Sequence, residues 1–271
     1  MQGPIAQTLA LAIHGNARLR GIPVPAFFPG NSTCQFCRQV AFVRLERPLF
    51  GGVRERPFAT TPDEWFARLA AAGVERLSVR YGSLGDARIG DRMSVAFVGG
   101  GGHWRIGAQR GAEAGLWEAR WQVGNRDDPE RRIWNVTYGE VGRADGRQPE
   151  AADLAGLVRE LADVFGEIGA FAREQGLDGF AGAFDRAVDC LRSDEPRSFG
   201  YHADLAPAGV LPLDAERILG AAQAGWVFGG MGSWNDLGFD GAAQARYESL
   251  SDRLYSLLNR AAVEAANASA A

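Results

Sequence analysis

The sequence predicts an α+β fold, with a mainly antiparallel β-sheet in the first half packed against helices in the second. Three observations carry this. Runs that alternate apolar and polar residues with period 2 concentrate in residues 37–141, apolar residues at three- and four-residue spacing fill residues 149–271, and a polar, turn-rich stretch with Gly142, Asp145 and Gly146 lies between them. Segregated strands and helices give α+β, whereas strands and helices alternating along the chain would give a parallel βαβ sheet. The expected organisation is a sheet with one inserted helix over residues 1–141 and a helical part over 149–271, packed on each other as one unit. A chain of 271 residues buries roughly 70–75% of its unfolded surface and needs no disulfide or metal to fold.

The segment Ile5 to Ile13 reads either as a short helix or as the first strand of a hairpin turning at Gly15-Asn16. Residues 21–36 carry Pro23, Pro25 and Pro29 and read as irregular. Cys37 to Leu45 is rich in β-formers. Thr61-Pro62-Asp63-Glu64 is a helix start, followed by Trp65, Phe66, Leu69 and Ala72 at helical spacing, and Gly73 closes that helix. Strand-like runs follow at Arg76–Tyr81, Arg92–Val98, His103–Gln109, Leu116–Val123 and Arg132–Val141. Trp117, Ala119, Trp121 and Val123 fall on one face, with Glu118, Arg120 and Gln122 on the other; Trp134, Val136 and Tyr138 repeat the pattern. That is the mark of an antiparallel sheet with one wet side.

Beyond the turn-rich stretch, Pro149 stands where a first-turn proline belongs, ahead of Leu154, Leu157, Leu161, Phe165 and Ile168. Phe180, Phe184, Val188 and Leu191 mark a second helix, capped by Asp178. A third covers Asp214 to Ala224, and a last one opens near Asp240 with Tyr247, Leu250, Leu254, Leu257 and Ala261 on one stripe.

Composition removes several chemistries. All 29 basic residues are arginine, so Schiff-base, P-loop and kinase-type lysine mechanisms are excluded. The histidines are His14, His103 and His202; no His-Glu-x-x-His occurs, and no Gly-x-Ser-x-Gly. The net charge of −4 does not suggest nucleic acid as a partner. No run reaches the ~18 apolar residues of a membrane span. The residues before Ile13 do not read as a signal peptide, which makes a cytoplasmic location the expectation.

Four features could carry chemistry. Cys34-Gln35-Phe36-Cys37 has metal and redox spacing, yet it leads into a strand and lacks a following histidine. Ordinary buried thiols, a metal pair completed by Cys190 and a histidine, and a redox pair are the alternatives. No metal or other cofactor is expected. The aromatic ladder of Trp117, Trp121, Trp134 and Tyr138, with Trp104 nearby, is either core or a platform for a flat ligand.

The segment Gly225–Asp236 holds Gly229, Gly230, Gly232, Ser233, Trp234, Asn235 and Asp236. It reads as an anion- or partner-binding loop, or as a tight connection in which Ser233 caps a turn with Asp236 at its third position. His202 has Asp204 two residues on, in reach for a base–carboxylate pair. The functional expectation is a non-catalytic protein that binds a macromolecular partner, another protein in particular. The alternative is an enzyme or small-ligand binder, carbohydrate included, that works through carboxylates and arginines and uses the aromatic sheet face or the glycine-rich loop.

Overall fold

The computed structural model describes residues 1–46, 52, 54–85, 90–97, 99–146 and 151–270. Strands Cys37–Glu46 (β1), Arg54–Ala59 (β2), Arg76–Gly82 (β3), His103–Arg110 (β4), Glu113–Val123 (β5) and Trp134–Asp145 (β6) form one sheet in the order β2-β1-β6-β5-β4-β3. β1 and β6 run parallel and every other pair is antiparallel. The helices are Gly3–Leu19 (α1), Pro62–Ala71 (α2), Asp91–Ser94 (α3), Leu154–Glu174 (α4), Asp178–Arg192 (α5), Leu213–Ala224 (α6) and Gly241–Asn267 (α7). The architecture is α+β: α1, α2 and α7 contact the strands, α4 and α6 pack on α7, and α5 packs on α4 and α6. Among the described residues no helix is long and apolar enough to cross a membrane.

α1 settles the open reading of Ile5–Ile13 in favour of a helix, and Gly15 and Asn16 lie inside it rather than in a hairpin turn. Every residue from Ile5 to Ala17 is buried, because the sheet lies on one side and α7 on another. A helix enclosed on all sides has no polar stripe to betray its period. Gly15 allows the close approach: a Cβ there would stand 2.3 Å from Leu77 Cδ1.

The free edge of β3 is closed by side chains. Asn16 Oδ1 accepts from the Leu77 N–H at 2.7 Å and Asn16 Nδ2 donates to the Leu77 carbonyl at 2.9 Å. Asn267 repeats the pair at Val79, at 2.7 and 3.1 Å. Two amide side chains thus stand where a neighbouring strand would be.

The strand expected at Arg92–Val98 is not one. Its first residues form the short α3, and residue 98 lies outside the described residues. Arg92 is buried, with Nε on Asp252 at 2.7 Å, a second nitrogen on Glu248 and Nη1 on Asn235 at 3.2 Å. These bonds tie the segment to α7 and the loop before it, and the β3 edge it would have joined is already occupied. β2, by contrast, carries three charges and Pro57, which hid it as a strand; such residues are at home on a sheet edge.

α2 begins as expected, with the Thr61 hydroxyl accepting from the Glu64 N–H at 3.2 Å. β5 and β6 pair with Ala119 opposite Tyr138 and Trp121 opposite Val136, which puts the ladder on the helix-covered face. On the other face Glu118 holds Arg105 and His103, each at 2.6 Å, and Arg120 holds Glu55 at 2.7 Å. α4 is capped by Asp153, whose carboxylate accepts from the Gly156 N–H, while Pro149 lies outside the described residues. Asp178 stands in the first turn of α5, with Leu177 at the cap position. There its charge still meets the positive end of the helix dipole.

Candidate pocket on the aromatic face of the sheet

The aromatic ladder divides in two. Trp117 is buried at the centre of the core, its ring 5.6 Å from that of Trp65 and 6.0 Å from that of Phe42, and Tyr138 is buried beside Phe42. Trp121 and Trp134 are only half-buried and meet edge to face at 5.9 Å. They stand at the end of the sheet face beside the first turn of α1. With Trp104 and Ala119 they line a cavity of about 680 Å³.

Its other walls come from residues 1–5 and Thr8, from residues 32, 33 and 35–37, from residues 96, 97, 99, 100 and 102, and from Tyr201-His202. Phe36, Phe97 and Tyr201 line this cavity while being 42%, 70% and 71% exposed, so apolar surface gathers at one place on the molecule. Glu118 and Arg120 also line the cavity, and their charges are paired, Glu118 with His103 and Arg105 and Arg120 with Glu55. The Trp104 and Trp121 indole nitrogens have no hydrogen-bond partner among the described residues.

The polar corner of the cavity is built by three residues from two distant segments. Asp204 accepts the Ser32 N–H at 2.7 Å on one carboxylate oxygen and the Ser32 hydroxyl on the other. Ser32 Oγ also lies 2.8 Å from His202 Nδ1. The Asp204 carbonyl takes Asn31 Nδ2 and His14 Nε2, each at 3.0 Å. The pairing of His202 with Asp204 that the sequence suggests therefore runs through Ser32, about 170 residues away, which no local pattern marks. Burial lowers the pKa of His202 and of His14 below the ordinary histidine value, so both imidazoles are neutral at pH 7.

Cys34 and Cys37 lie together under α1, both contacted by Gln7 Nε2, at 3.7 and 3.6 Å. Burial pushes their thiols up to about 12 and about 11, the reverse of an activated pair. Cys190 lies apart, at the Pro196 and Arg217 carbonyls. Among the described residues no third histidine, cysteine or carboxylate joins any of them as a metal cluster. His103 is on the wet face, bound to Glu118.

The glycine-rich segment forms a turn whose amides serve its own carboxylate. Asp236 accepts from the Gly232 N–H at 2.6 Å and the Ser233 N–H at 3.2 Å, and Ser233 and Asp236 form a reciprocal cap. Trp234 is buried, its indole donating to Ser251 at 2.7 Å, and Asn235 is held by Arg92. Gly229 is half-buried and Gly230 exposed, and Met231 beside them is fully exposed at the tip. Ser32, Phe36, Phe97 and Tyr201 are among the pocket residues that the sequence did not single out. No family model matches the chain, and no curated protein or solved structure matches it.

Proposed function

We propose that this protein binds a planar, largely apolar small molecule in the cavity of Trp104, Trp121 and Trp134. The observation that carries this reading is an indole-walled cavity of about 680 Å³ with three exposed aromatic residues in its lining. That volume lies within the roughly 300–1,000 Å³ usual for ligand sites, and apolar walls with a few polar groups are their common composition. Exposed aromatic surface gathered at one place calls for an occupant. Edge-to-face indoles suit a flat ring system, since an aromatic ligand continues the same packing.

The test is a binding panel of fused-ring compounds against the wild type and Trp121→Ala, followed by calorimetry. Trp121 is half-exposed, so the variant keeps its fold and loses up to about tenfold in affinity, the value of one ring contact of ~1.4 kcal/mol. Trp117→Ala is the contrast, unfolding the core at a cost of about 3–5 kcal/mol. A Trp121→Ala protein that binds every ligand like the wild type removes the reading.

A second reading rests on Met231. Its exposed thioether at the tip of a braced turn supports a protein partner at residues 229–236, since methionine is enriched at such interfaces. A native complex captured by the wild type and equally by Met231→Asp would remove this one.

A further inference from the structure

We propose that His202 Nε2 is the acceptor that selects the pocket's ligand, which carries a weakly acidic O–H or N–H on its ring system. This rests on the pocket reading above and adds the ligand's chemistry to it.

The argument is one of proton counting. Ser32 Oγ has a single proton, and it touches both His202 Nδ1 at 2.8 Å and an Asp204 carboxylate oxygen. An ionised carboxylate only accepts, so the hydroxyl proton points to Asp204. The Ser32 oxygen must then accept from His202, which places the imidazole proton on Nδ1. In the neutral ring the other nitrogen is left with a bare lone pair. No described residue donates to Nε2, and His202 lines the cavity. The tautomer is thus set from behind by Asp204, acting through Ser32.

The surroundings keep the ring neutral. Burial lowers its pKa and the Asp204 charge raises it, while the Met1 amino group nearby is itself pushed down to about 5 by burial and carries no charge at pH 8. Tyr201 packs edge-on at 4.9 Å, Gln223 Oε1 accepts the His202 backbone N–H, and Arg197 and Glu216 across the smaller cleft behind it are paired with each other. His202 lines both the aromatic cavity and the smaller cleft; on the proposal its Nε2 lone pair serves the former, where it attracts a donor and repels a carboxylate or an ether oxygen, so the corner discriminates by rejection as well as by contact. Phenols and heteroaromatic N–H compounds are the class that meets both the rings and the acceptor.

Calorimetry with 2-naphthol and its methyl ether, 2-methoxynaphthalene, tests this. The two share the ring and differ in the donor. The wild type prefers naphthol by roughly tenfold, the usual worth of a buried hydrogen bond. In His202→Phe the preference disappears while the ether still binds. In the wild type the preference also weakens once pH falls far enough to protonate His202, because protonation makes Nε2 a donor; the wild-type comparison at pH 8 decides the question if His202→Phe fails to fold. Equal binding of both compounds by the wild type at pH 8, or a naphthol preference that His202→Phe retains, overturns the His202 assignment and leaves the pocket standing. Binding of neither compound overturns the pocket reading and this inference with it.

Discussion

Gly15 is a single residue on which the seating of α1 depends. A methyl group there would stand 2.3 Å from Leu77 Cδ1 and 3.0 Å from Phe66 Cε1, so Gly15→Ala makes the buried Leu77 and Phe66 side chains or the helix shift. A chemical melt of that variant shows a loss of about 1–3 kcal/mol, in spite of the better helix propensity of alanine. The thiols make a second prediction at this scale. Cys34, Cys37 and Cys190 are raised from 9.0 to about 12, 11 and 12 by burial. Below pH 9 both folded and unfolded chains hold these protons, and stability is indifferent to them. Above it the unfolded chain ionises first, so stability falls as pH rises until the folded thiols titrate. Melts from pH 8 to 11 show this decline, and it is shallower in Cys34→Ala/Cys37→Ala. Single residues were only partly legible. The pair His202 and Asp204 could be seen two apart in the chain, but Ser32 could not, since its role exists only once two distant segments meet.

The amide lock on β3 is the clearest case at the level of elements. Removing Asn16 or Asn267 leaves the backbone N–H and carbonyl of Leu77 or Val79 without partners, at about 1–3 kcal/mol for each substitution to alanine. Equilibrium denaturation measures this, and size-exclusion chromatography shows self-association of the double variant as the edge opens. The strands β4, β5 and β6 and the helices α2, α4, α6 and α7 were legible because each has one buried and one wet side, which writes a period into the sequence. α1 was ambiguous for the opposite reason, being buried all round. β2 was missed because an edge strand carries charges and proline. Arg92–Val98 was misread because its β-forming residues are overruled by ion pairs from Arg92 to α7, which propensity does not contain. The Ser233–Asp236 cap was legible in full, being a local pattern.

At the scale of the molecule, α1 joins the parts that the sequence separates into a sheet half and a helical half. It packs on β3, β4 and α7, and α7 packs on β3. Neither residues 1–146 nor residues 151–271, produced alone, therefore show a cooperative melt, and the whole chain gives one calorimetric transition; two resolved transitions would contradict this. The closed edge of β3 has a consequence for hydrogen exchange. The amide protons of Leu77 and Val79 are shielded by side chains from α1 and α7, not by a partner strand. Their protection is a direct gauge of whether each helix is docked. Equal exchange rates mean that α1 and α7 leave the sheet together, and a faster Leu77 means that α1, and with it the wall of the aromatic pocket, opens while the rest of the fold stays closed.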